Sequence, residues 1–187
     1  LSTRPDLLSD DYIEALSQLQ ANVPPAGWQE VSQQMAQELG CDVATAFGSF
    51  EEAPIAAGSV GQVYRANLSN GQKVAVKVLR PGIESQVQED GRLLRKIAAM
   101  ASATALGSRY DFVGLADQVL EALGRELDFR IEAENTLRLQ RCLAASSFVP
   151  NGKLRLPQVE QNLSGQRVLV LEWIDGCLLY TSPSPRD

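Results

Sequence analysis

The sequence predicts an α+β fold in which a small antiparallel sheet is preceded and followed by helices. Two observations support this prediction. Residues 54–80, PIAAGSVGQVYRANLSNGQKVAVKVLR, contain short runs of strand-forming residues separated by turn residues. The segments on both sides of this stretch carry apolar residues at the spacing of one helix face. We therefore expect three short strands near the centre of the chain, with helices around them.

Turn residues separate the three predicted strands. A loop of small residues, Ala-Ala-Gly-Ser-Val-Gly, occupies positions 56–61 between the first strand and the second. Asn70 and Gly71 lie between the second and the third. This pair predicts a tight hairpin turn, because both residues tolerate positive φ at its central positions.

The third strand places one lysine among small and apolar residues. Side chains alternate between the two faces of a strand, so Lys77 shares a face with Ala75. The opposite face consists of Val74, Val76 and Val78. A charge in a strand that can be buried needs a partner, because an unpaired buried charge is costly.

This order of strands, loop and lysine predicts the nucleotide-binding half of a protein-kinase-like fold. Small residues in the loop let the backbone approach phosphates, and Ala75 leaves room for a flat adenine. Lys77 would bring positive charge to the α- and β-phosphates. The alternative is an ordinary meander with one lysine on a solvated edge, since Val-Ala-Val-Lys alone is a weak match.

Composition narrows the function classes. The chain has 187 residues, of which 44% are hydrophobic, enough for one core and an additional helical layer. A net charge of −6 argues against nucleic acid as the main partner. The absence of histidine excludes His-based acid–base catalysis within these residues. Three distant cysteines suit a reducing compartment without a disulfide framework, and no apolar run reaches the length of a membrane span.

Two helices are predicted before the sheet. The first covers residues 12–19 and the second residues 27–39, ending at Gly40. The second has a modest apolar stripe, which we interpret as core packing: Trp28, Val31, Met35 and Leu39. Residues 42–50 are expected to form a short helix or loop. These segments make an N-terminal helical extension over residues 1–50, ahead of a kinase-like lobe over residues 51–176.

Two longer helices are predicted after the third strand. One covers residues 83–106, with its buried side formed by Val87, Leu94, Ile97 and Met100. The other is a continuous helix over residues 111–143. Within it, Glu126 and Arg130 fit an i,i+4 ion pair. Asp128 and Glu132 would lie on one face, where two like charges require water or a nearby cation such as Lys77.

The last structural segments are two strands, over residues 154–159 and 166–171. Glu172 and Trp173 follow the second strand, where a kinase-like lobe would continue to its second lobe with backbone facing adenine. Residues 177–187, CLLYTSPSPRD, have no apolar periodicity and resemble read-through of a sequencing adapter. We interpret them as a non-native tail; a natural flexible C-terminus is the alternative.

Taken in order, these segments resemble the UbiB/AarF-type atypical kinase-like family. The resemblance spans residues 1–176 and is carried by LSTRPDLL, YIEALSQLQ, VPP, IAAGSVGQVYRA, VAVKVLRPGI, ELDFRIEAEN and VLVLEWIDG. The small-residue loop of that family is rich in alanine where ordinary protein kinases carry glycine. This chain reads Ala56-Ala57-Gly58-Ser59, so Gly58 replaces one of the usual alanines.

The resemblance implies roles for individual residues. Lys77 would be the nucleotide-binding lysine and Glu132 the glutamate that pairs with it, which makes these two the candidate catalytic residues. Glu126 and Asp128 match the family's Glu-x-Asp motif. The candidate nucleotide-binding residues are Ala56, Ala57, Gly58, Ser59, Val60, Gly61, Val63, Ala75, Lys77, Glu126, Asp128, Glu172 and Trp173. No metal ligand is assigned.

The resemblance also implies a function for the intact parent. It would bind ATP or ADP with Mg²⁺, as a kinase or an ATPase, and support biosynthesis or homeostasis of isoprenoid quinones and prenyl lipids. Its expected partners are the nucleotide and a membrane surface or quinone-biosynthesis proteins, at a bacterial inner membrane, a mitochondrion or a plastid. The N-terminal helices would cover the nucleotide cleft.

Two parts of the family pattern are absent from these residues. The family's Lys-x-Gly-Gln motif lies just upstream of the LSTRPDLL-like stretch, and its second lobe carries the catalytic and metal-binding acids. We therefore expect the 187 residues alone to lack phosphoryl transfer. A conventional protein or small-molecule kinase, and a non-catalytic module that holds nucleotide or a lipid partner, are the alternatives.

Overall fold

The computed structural model describes residues 24–104, 107, 109–145 and 155–175. The helix expected over residues 12–19 and the tail over residues 177–187 lie outside them. The first elements are α1 (Trp28–Leu39), α2 (Val43–Ala46), β1 (Ser49–Phe50), β2 (Ala56–Ala57), β3 (Gly61–Asn67) and β4 (Lys73–Leu79). They are followed by α3 (Ile83–Ser102), α4 (Phe112–Glu126), α5 (Phe129–Ala144), a 3₁₀ helix (Gln161–Leu163) and β5 (Val168–Glu172).

The strands form one antiparallel sheet in the order β1-β3-β4-β5, and β2 also pairs with β3. The small sheet with flanking helices confirms the predicted α+β fold. In β3 and β4, buried residues alternate with half-buried ones, so the sheet has one closed face and one partly open face.

Helix α1 covers the closed face. Val31 and Met35 on the predicted stripe of α1 are fully buried, and they share a hydrophobic core with the valines of β4. Gly40, at a φ of 71°, ends the helix as predicted. Because the β4 valines point away from Lys77, α1 lies on the side of the sheet opposite Lys77. The expectation that the N-terminal helices cover the nucleotide cleft is therefore wrong for this helix.

A second, smaller core fills part of the open face. Its buried members are Leu79, Leu127, Phe129 and Leu169. They join β4, β5 and the start of α5, so α5 is held against the same face of the sheet that carries Lys77. The remainder of that face is left uncovered by these helices.

The continuous helix predicted over residues 111–143 is wrong, because the helix breaks between Glu126 and Phe129. Asp128 has extended backbone angles, and its side chain accepts a hydrogen bond from the Arg130 N–H at 3.0 Å. It is therefore the N-cap of α5 rather than an interior residue. The expected ion pair of Glu126 with Arg130 is wrong too, since Arg130 pairs with Asp128 at 2.6 Å.

The predicted buried side of α3 is partly wrong, because α3 packs on α4 through small residues. Gly91 and Ala98 are buried, and a Cβ added at Gly91 would lie 2.8 Å from Leu120 of α4. This close approach directs Ile97 and Met100 to solvent, where they are 54% and 73% exposed. The other two predicted residues, Val87 and Leu94, are half-buried.

The hairpin turn between β3 and β4 is longer than predicted. Residues 68–72 connect the strands, and the Leu68 N–H donates to the Gln72 carbonyl at 2.9 Å. Gly71 has a φ of 83°, whereas Asn70 keeps a negative φ and accepts a hydrogen bond from the Gln72 N–H through its side chain. A turn with positive φ at both positions is therefore not formed.

Two strand boundaries also change. Ala56 and Ala57 belong to β2 and pair with Val63 and Gln62, so the loop itself is residues 58–60. The strand predicted over residues 154–159 is reduced, within the described residues, to a single bridge between Val159 and Leu171. Pro157 lies in that segment and has no N–H to donate to a ladder.

Candidate nucleotide-binding site

Lys77 and Glu132 form an ion pair between the sheet and α5. Lys77 Nζ donates to Glu132 Oε2 at 2.5 Å, so Glu132 is the glutamate that meets the lysine of β4. Their side chains are 35% and 43% exposed. The charge in β4 thus has the partner that its half-buried position requires, and both groups remain within reach of solvent.

The aromatic ring of Phe129 contacts the ammonium group of Lys77. Lys77 Nζ lies 4.6 Å from the centroid of the Phe129 ring, a distance at which a cation is attracted to an aromatic face. A Cβ added at Gly61 would lie 3.4 Å from the ring edge of Phe129 and 2.8 Å from the Val78 carbonyl. Glycine at position 61 therefore allows the start of β3 to lie closely over both β4 and Phe129.

The small-residue loop is tied back to the end of β4. The Gly58 N–H donates to the Gly61 carbonyl at 2.8 Å, which closes the loop on itself. The Arg80 N–H donates to the Val60 carbonyl at 2.9 Å, and the Arg80 guanidinium donates to the Gly58 carbonyl at 3.3 Å. Ser59, at the tip of the loop, is exposed.

An uncovered apolar surface lies beside the ion pair. Val63 is opposite Lys77 in the β3–β4 register, and Ala75 is opposite Leu171 in the β4–β5 register, so all four side chains share one face. Below Leu171, an open groove of about 670 Å³ extends along α5 and is also lined by Glu126 and Glu132. The face therefore offers a flat apolar surface next to one lysine and two acids.

The two acids of the Glu-x-Asp pattern do not act together. Glu126 is the last residue of α4 and is exposed at the groove. Asp128 is held by Arg130, whose hydrogen bonds and charge lower the pKa of the Asp128 carboxyl below its ordinary value. Asp128 therefore caps α5 and forms an ion pair with Arg130. Of the two acids in this pattern, Glu126 is exposed at the groove.

Glu172 and Trp173 are engaged within the protein. The backbone N–H of Glu172 donates to the Gln158 carbonyl at 2.8 Å, and the backbone N–H of Trp173 donates to the Lys73 carbonyl at 3.0 Å. The guanidinium of Arg65 stacks 4.6 Å from the centre of the Trp173 ring. Neither N–H is therefore free to donate to an adenine.

Within the residues that the structure describes, no group of three or more Asp, Glu or Cys side chains is placed to hold a metal. Mg²⁺ that accompanies a nucleotide takes many of its ligands from phosphates and water. In the same part of the chain, no helix combines the length and hydrophobicity of a membrane span.

The half-open sheet, the closed loop and the Lys77–Glu132 pair define a kinase-like nucleotide-binding lobe. The chain belongs to the ABC1 atypical kinase-like domain family, whose model matches residues 18–184. This membership confirms the UbiB/AarF-type resemblance, since relatives of the chain carry the name UbiB. Kinase-like families generally bind ATP with Mg²⁺.

Individual relatives place the chain within that family. It is 41% identical to an uncharacterized protein of Synechocystis, covering all of this chain and 47% of that protein. It is 35% identical to the probable protein kinase UbiB of Shewanella piezotolerans, covering 94% of this chain and 32% of that protein. The chain thus spans between about a quarter and a half of the length of the curated relatives it matches.

A solved structure has the same architecture. The protein Rv3197 of Mycobacterium tuberculosis, solved with erythromycin, superposes with a TM-score of 0.69 at 30% sequence identity. The match covers 92% of this chain and 41% of that one. The kinase-like fold is therefore supported by both sequence and shape.

Sequence patterns missed two residues that shape this site. Phe129 reads as an ordinary helix residue, although it packs under Gly61 and Lys77. Arg80 reads as the end of a strand, although it holds the Gly58 carbonyl. The sequence offers no clear signal for Phe129, because the helical pattern continues through Leu127 and Asp128.

Proposed function

We propose that this chain is the nucleotide-binding half of an atypical kinase-like protein, with ATP or ADP as its ligand. The main support is the Lys77–Glu132 pair on the partly open face of the sheet. An ion pair as exposed as this one adds only about 0.2–1 kcal/mol to folding stability. A contribution to binding an anionic ligand explains its placement better than a contribution to the fold.

The proposed binding mode follows from the open face of the sheet. The adenine would lie on the surface of Val63, Ala75 and Leu171, which is flat because Ala75 is small. The phosphates would extend past Lys77 toward Gly58, where backbone can approach closely. Mg²⁺ would be held mainly by the phosphates, and Glu126, which is exposed at the groove, could supply an additional carboxylate.

The role of the intact parent is the second part of the proposal. Family membership and relatives named UbiB support a protein that uses ATP in the biosynthesis or homeostasis of isoprenoid quinones or prenyl lipids. Such substrates imply work at a membrane, in a bacterium, a mitochondrion or a plastid. Turnover would need the second lobe, so the 187 residues should bind nucleotide without transferring phosphate.

The test is nucleotide binding by the purified 187-residue chain. ATP affinity is measured by titration for the wild type, for Lys77→Ala and for Lys96→Ala, which removes an exposed lysine of α3. We expect Lys77→Ala to weaken ATP binding at least tenfold and Lys96→Ala to leave it unchanged. Equal affinities in all three proteins would reject the proposed site, and release of phosphate above the Lys77→Ala level would reject the prediction of no turnover.

A further inference from the structure

The loop that precedes β5 connects α1 to α5. Glu38, near the end of α1, accepts hydrogen bonds through Oε1 from the Gln166 N–H at 2.6 Å and the Arg167 N–H at 3.3 Å. The carbonyl of Gln166 in turn accepts from the N–H of Phe129, the first residue of α5, at 2.9 Å. The same peptide segment thus donates hydrogen bonds to a carboxylate of α1 and accepts a hydrogen bond from the backbone of α5.

Gly165 lies against the Glu38 carboxylate. A Cβ added at Gly165 would lie 2.2 Å from Glu38 Oε1 and 3.1 Å from Glu38 Cδ. A side chain there would displace the carboxylate from the two amides. The absence of a side chain at position 165 therefore leaves room for the Glu38 carboxylate to reach the two amides.

A second carboxylate holds the same loop from α3. Arg167 Nη2 pairs with Glu84 Oε2 at 2.6 Å, and the Gln166 side chain donates to Glu84 Oε1 at 3.3 Å. Glu84 binds side chains, whereas Glu38 binds the backbone amides of Gln166 and Arg167. Only Glu38 therefore acts directly on the peptide segment whose carbonyl receives the first N–H of α5.

The first turn of α5 carries both partners of Lys77. The Phe129 ring lies under Lys77 Nζ. Glu132, three residues further along the helix, forms the ion pair with Lys77. The N–H groups of the first turn have no partner inside their own helix. The Gln166 carbonyl supplies one for Phe129, and this bond fixes where α5 begins relative to β4.

We propose that Glu38 is a positioning residue that holds α5 so that Glu132 and Phe129 meet Lys77. Its significance for ligand binding depends on the proposed nucleotide function. Helix α1, which lies on the side of the sheet opposite Lys77, would in this way influence the Lys77–Glu132 pair. The path runs from Glu38 through the Gln166 peptide to Phe129 and Glu132.

The first test measures the path without a nucleotide. Amide hydrogen exchange is followed in the 187-residue chain for Glu38→Ala, Glu38→Gln and Glu30→Ala, which alters an exposed residue of the same helix. In Glu38→Ala we expect at least tenfold faster exchange at Gln166 and Phe129. Glu38→Gln should stay close to the wild type because its amide oxygen still accepts, and Glu30→Ala should match the wild type. Unchanged exchange in Glu38→Ala would overturn the proposal.

The second test asks whether the path reaches Glu132. We expect Glu38→Ala to weaken ATP binding about threefold to tenfold, which is less than the full loss of hydrogen bonds to a charged group, because Glu38 acts on the site only through α5. The same substitution made in a Glu132→Ala protein should have a smaller effect, because only the contact of Phe129 with Lys77 is left to be disturbed. An equal loss in both backgrounds would mean that Glu38 acts only on general stability.

Two controls keep the outcomes distinct. If Lys77→Ala leaves ATP binding unchanged, the proposed nucleotide function fails, and the exchange measurement alone decides the role of Glu38. If Glu38→Ala does not fold, Glu38→Asp is used, whose carboxylate is one methylene shorter. Faster exchange at Gln166 and Phe129 supports the path, and wild-type exchange at both rejects it.

Discussion

Gln62 and Tyr64 lie on the same face of β3, and their side chains are joined by a hydrogen bond of 2.8 Å from Gln62 Nε2 to the Tyr64 hydroxyl. The other end of the Gln62 amide accepts the N–H of Ala26 at 2.6 Å. Both side chains are fully buried. One amide thus satisfies a buried hydroxyl and also fixes the chain that leads into α1.

Replacing Gln62 by leucine should destabilise the protein. The change keeps a side chain of similar size but removes the amide. The Ala26 N–H and the Tyr64 hydroxyl then lack this partner, which costs about 1–3 kcal/mol. Urea denaturation measures the loss. Gln37→Leu, at an exposed position of α1, is the control and should stay within about 0.5 kcal/mol of the wild type. Wild-type stability of Gln62→Leu would show that this amide is dispensable.

Gly58 in the small-residue loop and Gly61 at the start of β3 should respond differently to alanine. A Cβ at Gly61 would meet the Val78 carbonyl at 2.8 Å, and backbone cannot move aside cheaply, so we expect a loss of about 1–3 kcal/mol. At Gly58 the nearest atom would be 3.6 Å away, an ordinary contact. Gly58→Ala should therefore keep wild-type stability within about 0.5 kcal/mol. Thermal and urea unfolding of the two variants distinguish these outcomes, and equal effects would contradict the close approach at Gly61.

The two methionines provide a matched test of the core. Met35 is fully buried between α1 and the sheet, whereas Met100 is 73% exposed on α3. Met35→Ala should lower the free energy of unfolding by about 2–5 kcal/mol, through lost burial and a cavity. Met100→Ala should change it by less than about 0.5 kcal/mol. A larger effect at Met100 would restore the original prediction for the buried side of α3.

Asp128 should make stability depend on acid pH. The hydrogen bonds and charge of Arg130 lower the pKa of Asp128 in the folded chain, so the folded state binds this proton less tightly than the unfolded state. The stabilisation is present above the unfolded value near 3.8 and is lost as the pH falls through the folded pKa. Asp128→Asn keeps an N-cap without the charge. The urea midpoints of the wild type and Asp128→Asn should differ at pH 7, and the difference should shrink as the pH falls below 3.8. A constant difference would exclude the ion pair as its source.

The sequence was most informative where structure is a local property. Alternation in β4 predicted that Lys77 and Ala75 share a face opposite the valines, because side-chain direction in a strand depends only on position. The stripe on α1 was predicted correctly for the same reason. The pairing of Lys77 with Glu132 joins residues 55 positions apart, and it came from the family resemblance rather than from any periodicity.

The predictions failed where distant contacts decide. The helical pattern continues through Leu127 and Asp128, and the break becomes evident only when the Phe129 N–H finds the Gln166 carbonyl. The exposed side of α3 depends on how closely α4 approaches at Gly91. Periodicity identified an apolar stripe on α1 and a row of valines on β4. It could not predict that these two surfaces would pack against each other.

The core shared by α1 and the sheet has a consequence for how this protein can be divided. Val31 and Met35 belong to α1, and they complete the same apolar interior as the β4 valines. A version trimmed to begin at residue 51 would present a row of valines to water and should aggregate. A stable domain must therefore contain both the helix and the sheet. Recombination that exchanged the sheet without this helix would yield an insoluble product.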